Sequence, residues 1–215
     1  MNILAFDTSL NKTYIALMTG DTLVLRALET NEINYHSAYL ISGIRQLLDE
    51  SQIELKNIDL IAVNSGPGSF TGIRVGVTTA KTLAKELNKP VIGISSLDLL
   101  RETYKNLDPD VILDARREMF YMNTGDKISL IPYGDIDKHL SKGVIICDKS
   151  SSVRLCEFEI PCYKPEIIVF EEDNSINLAA ALIDIARVKY SSGGDFGWYN
   201  LKPQYIQAPP IHKRS

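Results

Sequence analysis

Two segments of the chain hold residue types from which a phosphate or metal site could be built. Phe6-Asp7-Thr8-Ser9 sets a carboxylate and two hydroxyls at the end of an apolar run. A turn of this kind can cradle a phosphate through backbone N–H groups while the carboxylate holds water or a metal. Asp and Thr side chains cap ordinary polar turns in the same way. The second segment, Ser65-Gly66-Pro67-Gly68-Ser69-Phe70-Thr71-Gly72, leads into a helical pattern. Glycines ahead of a helix start expose several N–H donors at the positive end of the dipole, where an anion can sit. It lacks the Gly-Lys-Ser/Thr of a Walker loop and does not fit the dinucleotide fingerprint. A tight turn that needs positive φ at glycine would use the same residues. No cofactor is expected, and any nucleotide held at Asp7, Thr8, Ser9, Gly66 and Gly68 would be held weakly.

Other chemistries lack their parts. His36, His139 and His212 are too scattered for a metal site, and no Gly-x-Ser-x-Gly, Cys–His or His-Glu-x-x-His arrangement occurs. Cys147, Cys156 and Cys162 are odd in number and lie in the second half, which points to reduced thiols rather than a disulfide framework. No metal and no catalytic residue is assigned. The formal net charge of −4 gives no basic excess for neutralising phosphates. Arg116-Arg117 and His212-Lys213-Arg214 are local basic groups that a solvated surface explains as well as a nucleic-acid contact. The start, Met1-Asn2-Ile3-Leu4-Ala5-Phe6, meets Asp7 at once, so neither a signal peptide nor a membrane span is expected and the cytoplasm is the expected location.

The elements that must position these segments can be read from periodicity. Asn2–Asp7, Tyr14–Met18 and Thr22–Leu28 are β-rich runs, the last two joined by a tight turn at Gly20-Asp21. A helix follows from about Ser37 to Glu50, with Leu40, Ile41, Ile44, Leu47 and Leu48 on one face. Ile58–Val63 reads as a buried strand, the glycine segment as its loop, and a helix continues to about Leu87, stopped by Asn88 and Pro90. Val91–Ile94 is a strand, and Ser95 or Ser96 can cap a helix to about Tyr104. After Leu107-Asp108-Pro109 the strands shorten: Val111–Leu113, Met119–Asn123, Val144–Cys147 and Ile167–Phe170, then a helix over Ile176–Lys189. The expected organisation is a larger unit over 1–107 and a smaller α/β unit over 108–215, a mixed sheet with helices packed on it, without a visible internal repeat.

The helix after the glycine segment has more than one face to bury. Ile73, Val77, Ala80, Ala84 and Leu87 suit a sheet. Gly72, Gly76, Thr79 and Leu83, with Val75 beside them, form a second face, where small residues four apart let another backbone come close. Gly76 costs a helix about 1 kcal/mol relative to alanine. An intersubunit helix contact would offset that, and so would close packing within the chain. The expected partner face is Gly72, Val75, Gly76, Thr79 and Leu83 with Tyr39 and Gly43 of the preceding helix.

Ile3-Leu4-Ala5-Phe6-Asp7-Thr8-Ser9, then Asn64 through Gly76, Ala80-Lys81-Thr82-Leu83-Ala84, Pro90 through Leu97 and Leu113-Asp114-Ala115-Arg116-Arg117 together resemble the TsaB family, also called YeaZ. The resemblance is firm from Met1 to about Tyr121 and returns at Pro203-Gln204-Tyr205-Ile206. It implies an actin/Hsp70/sugar-kinase-like (ASKHA) α/β fold of two related subdomains, the second smaller and degenerate. It also implies a non-catalytic role in making threonylcarbamoyladenosine in tRNA, paired with the catalytic paralogue TsaD and joined by the ATPase TsaE. A homodimer when alone and tRNA contact only through the complex go with that role. Where TsaD carries a His-x-x-x-His metal pair, the same register here gives Ser96 and Leu100. An independent phosphotransferase or ATPase using Asp7-Thr8-Ser9 is the alternative, which ATP turnover by the isolated chain would favour.

Overall fold

The computed structural model describes residues 1–10, 12–28, 36–125, 127–157, 165–173 and 178–204, with side chains in the helix that opens at His36 described from Tyr39 onward. The first sheet is built from β1 (Asn2–Asp7), β2 (Thr13–Thr19), β3 (Thr22–Leu28), β4 (Leu60–Gly66) and β5 (Val91–Ser95) in the order β3-β2-β1-β4-β5. β2 runs antiparallel to β1, and β4 runs parallel to it with Ala5 opposite Ala62. Ile3–Phe6 are buried on both faces, as a central strand covered on two sides must be. Leu4 and Phe6 face α1 (His36–Glu50) and α2 (Phe70–Leu87), while Ile3 and Ala5 face the other way.

A second sheet holds β6 (Asp110–Asp114), β7 (Met119–Asn123), β8 (Ile128–Pro132), β9 (Val144–Cys147) and β10 (Glu166–Val169) in the order β8-β7-β6-β9-β10. This repeats the first sheet strand for strand, with a central strand ending in aspartate both times, Asp7 and Asp114. Between the sheets lie α3 (Ser96–Thr103) and α5 (Leu178–Ser191). α3 packs on β6 and β7, and α5 on β1, β2, β4 and β5, so a helix from the second half covers the first sheet. One apolar cluster therefore runs from Ala5 and Ala62 through Leu100 and Leu182 to Val111 and Ile146.

Local signals account for most of these boundaries. Asn88 ends α2 in left-handed backbone, its N–H donating to Ala84 and Lys85 carbonyls. Ser95 caps α3 by accepting the Leu97 N–H at 3.2 Å. β4 continues through Asn64 and Ser65, expected as loop, because β5 supplies ladder partners at Ile94 and Ser95. β8 and α4 (Lys149–Glu157) had no clear sequence signal. α4 is Ser-rich and mostly exposed, and Asp148 begins it by accepting the Ser151 N–H at 2.8 Å. The structure also differs at Ile41, read as core and in fact 55% exposed. Cys147 and Cys156 are unbridged, and burial pushes the Cys147 thiol up to about 12, which leaves it a core residue. Cys162, His212 and residues 205–206 of the returning motif lie outside the described residues.

Because Leu182 of α5 belongs to the one apolar cluster that runs between the sheets, Leu182→Ala should remove about 2–5 kcal/mol and lower the melting temperature by roughly 5–15 °C in a single calorimetric transition. Two transitions, with only one moved, would contradict a shared core.

Candidate functional site

The two segments singled out by residue type meet at the ends of β1 and β4. Ser69 N–H donates to the Ser9 carbonyl at 2.8 Å, and the Thr8 hydroxyl donates to the Gly72 carbonyl at 2.7 Å. The glycines let the backbones touch. A Cβ on Gly72 would lie 1.8 Å from the Thr8 carbonyl oxygen, and one on Gly68 would lie 2.5 Å from that of Ser9. Gly66, at φ +104°, is closed in by Ile73 and the Gln204 carbonyl. The loop expected as an anion cradle thus presses against two carbonyl oxygens of its own chain.

Asp7 is fully buried. Its Oδ1 accepts the Ser9 N–H at 2.6 Å and the Ser9 hydroxyl at 2.7 Å. Burial raises its pKa above the ordinary carboxylate value, while the Ser9 bonds and the neighbouring Asn64 amide hold it back. Asn64 is near enough to act on the carboxyl, yet neither Asp7 Oδ2 nor Asn64 Nδ2 completes a hydrogen bond among the described residues. Asn64 Oδ1 is engaged, accepting the Gly66 N–H at 3.0 Å and the Ser96 hydroxyl at 2.9 Å. Sequence reading passed over Asn64 as part of the loop. Its position two residues before Gly66 was the available signal, since Asn side chains bond backbone two residues on.

Ser9, Gly68 and Ser69 open on a cleft of about 260 Å³ whose far wall comes from the second sheet. That wall carries Asp114, Asp148 and Glu171 against Arg116. Glu171 is pushed up by burial, and Asp148 adds to the shift. Asp7, Thr8, Ser9, Gly66 and Gly68 are therefore brought together, but a phosphate chain in the cleft would face three carboxylates. Among the described residues no group of three or more His, Cys, Asp or Glu could hold a metal ion.

The expected partner face divides. Gly72 and Gly76 turn inward, a Cβ on Gly76 lying 2.8 Å from Thr8 Oγ1, and Gly43 is buried where a Cβ would lie 2.6 Å from Ile15 Cδ1. These three glycines make close contacts within the chain, the alternative left open for the small residues of this face. Tyr39 is 48% exposed, and Val75, Thr79 and Leu83 are half-buried. Leu83 borders a groove of about 500 Å³ between α1, α2 and the turn at Leu55–Asn57, lined also by Ile41, Ile44, Leu48, Ile53 and Leu55.

Two outcomes follow from the junction. Gly72→Ala sets backbone against backbone and should cost about 3 kcal/mol or more. Gly76→Ala meets side-chain atoms, Thr8 Oγ1 at 2.8 Å and Val63 Cγ2 at 3.3 Å, which can shift where backbone cannot, and it gains about 1 kcal/mol of helix propensity, so it should cost less than Gly72→Ala. Equal denaturation midpoints for wild type and Gly72→Ala would contradict the close contact. For Asp7, a folded pKa above 3.8 makes its contribution most favourable below that value and loses it as pH rises through the folded pKa. The stability of wild type relative to Asp7→Asn should rise as pH falls from about 7 to about 4. A difference that is flat or falls over that range would contradict the buried carboxyl.

The family model described as "TsaD: tRNA N6-adenosine threonylcarbamoyltransferase" matches residues 29–142. The chain is similar to the tRNA threonylcarbamoyladenosine biosynthesis protein TsaB of Bacillus subtilis, at 38% identity over 56% of this chain and 53% of that one. It is also similar to TsaB of Buchnera aphidicola from Schizaphis graminum, at 30% identity over 65% of this chain and 73% of that one. The match thus spans about half the length of the Bacillus relative. The solved structure of YeaZ from Pseudomonas aeruginosa superimposes with a TM-score of 0.76 over 95% of this chain and 99% of that one, at 22% identity. The shared architecture is the ASKHA-like α/β fold, with its second sheet as complete in strand order as the first. With a family model over more than half its length and a 30% identical relative of which it covers 73%, the chain belongs to the TsaB (YeaZ) family.

Proposed function

We propose that the chain is a non-catalytic subunit of the machinery that makes threonylcarbamoyladenosine in tRNA, binding and activating the catalytic paralogue TsaD, with the ATPase TsaE as a further partner. The names of its relatives support the pathway. The observation that carries the non-catalytic part is the start of α3. Ser96 and Leu100, which stand in the register of TsaD's histidine pair, are both fully buried. The Ser96 hydroxyl is spent on Asn64, and a leucine side chain has no donor atom for a metal. The position that would carry chemistry here supports the glycine loop.

The groove between α1 and α2 is the surface we assign to TsaD. Its apolar lining, with Ile41 55% exposed, suits the helix pair of a paralogue built on the same fold. The same face would pair two copies when the chain is alone. Contact with tRNA would come mainly through the complex, since the chain's formal net charge is −4. Among the described residues no helix is long and apolar enough to cross a membrane.

Ile41→Glu tests the assignment, because its exposure leaves the fold little to lose. Affinity for TsaD, measured by co-purification and titration calorimetry, should fall at least tenfold, about 1.4 kcal/mol, with an unchanged melting temperature. Unaltered affinity would remove the groove as the partner surface, and failure of the wild-type chain to capture TsaD would remove the proposed function.

A further inference from the structure

The turn joining β6 to β7 holds three consecutive non-glycine residues in left-handed backbone: Arg116 at φ 60°, Arg117 at φ 51° and Glu118 at φ 60°. Hairpin turns that need positive φ ordinarily use glycine, asparagine or aspartate, because a Cβ is unfavourable there. The surroundings enforce the conformation. Asp114 Oδ1 accepts the Arg116 N–H at 2.7 Å and the Tyr133 hydroxyl at 2.8 Å. Ala115 N–H donates to the Met119 carbonyl at 2.9 Å, and Tyr133 N–H donates to the Glu118 carbonyl at 2.9 Å. A backbone held against its preference by so many bonds is a reason to ask what its side chains do.

Those side chains point out of the fold. Arg116, Arg117 and Glu118 are exposed. The two guanidinium groups make no hydrogen bond or ion pair among the described residues. They border a groove of about 710 Å³ with Arg154 across it on α4. Arg154 is bonded to Glu157 at 3.2 Å, and Asp114 and Glu118 are the two carboxylates left against Arg116 and Arg117. The formal charge of the groove cancels, three arginines against three carboxylates. Attraction at long range is therefore weak, and what the site offers is two exposed guanidinium forks carried on a held backbone turn, whose planar donors match phosphate oxygens two at a time.

We propose that the β6–β7 turn, with Arg154 opposite, is a phosphate-binding site whose occupant is the sugar–phosphate backbone of the tRNA. The choice of RNA rests on the function proposed above, whereas the phosphate chemistry rests on the arginines alone. The groove's volume of about 710 Å³ exceeds that of one small anion, which favours a chain of phosphates over a single one. The role is to hold the tRNA in register once TsaD has bound it. Affinity of the isolated chain stays low, in keeping with its acidic balance, and falls with salt by a log–log slope of about −0.7 per phosphate neutralised on a single strand.

The test follows the arginine Nε–Hε resonances of the full chain during titration with unmodified tRNA and, separately, with inorganic phosphate at low ionic strength. Shifts at Arg116 and Arg117 with tRNA are expected. Shifts with inorganic phosphate alone would overturn the RNA assignment, and no shift with either would overturn the site. Arg117→Gly gives the second reading: glycine is at ease in left-handed backbone, so the melting temperature should rise while tRNA affinity falls at least threefold. A rise in stability with unchanged tRNA affinity would mean that the turn has only a structural role and would overturn the proposal. Capture of TsaD without arginine shifts removes this site and leaves the proposed function, and the reverse outcome removes the proposed function and leaves the site.

Discussion

The first turn of α2 lies against the end of β1 at a distance that only glycine allows. Gly72 meets the Thr8 carbonyl, Gly68 meets that of Ser9, and hydrogen bonds from Thr8 to Gly72 and from Ser69 to Ser9 lock the contact. This one approach sets the depth at which α2 sits on the sheet. Ile73, Val77, Ala80 and Ala84 then reach Phe6 and Val63, and α1 comes to lie beside α2. The groove proposed for the partner exists because α2 is pinned there, with Leu83 raised at its edge. A glycine motif that resembles an anion cradle is here the seat of a helix.

The same junction carries a cost. Asp7 sits fully buried with its carboxyl pKa raised, and its Oδ2 and the Asn64 amide remain without hydrogen bonds among the described residues. Such groups destabilise a fold unless they are paired. Asn64 offsets part of the cost by tying β4 to α3, since its Oδ1 accepts the Gly66 N–H at the end of its own strand and the Ser96 hydroxyl of α3. The residue in the register of a metal ligand in TsaD thereby props the loop that seats α2.

Much of the first sheet was legible in the sequence because its strands are continuous apolar runs and its helices are marked by Ser95 and Asn88. The repeat of the sheet was legible only through the family resemblance, which implied two related subdomains, because strand order depends on which strands pair, and β6–β10 share that order with β1–β5 without sharing a readable pattern. α4 escaped notice since it buries only Ser151 and Leu155, too little for an apolar stripe. Gly43, Gly72 and Gly76 show the limit most clearly. Small residues four apart predict a close approach, and they say nothing of whether the neighbour belongs to the same chain. Ile41 differs in the opposite sense: the helical period sets it on the face of Leu40, Ile44, Leu47 and Leu48, but at the edge of that face, where it is 55% exposed.

The central claim is that this chain acts by completing TsaD and performs no transfer itself. The most direct measurement is reconstitution of the modification from purified components, with threonylcarbamoyladenosine in tRNA quantified by mass spectrometry as each protein is left out in turn. The account predicts product when TsaD, TsaE and this chain are all present, a fall to background when this chain is omitted, and none from this chain alone. Full product without this chain, or product from this chain in the absence of TsaD, would contradict it.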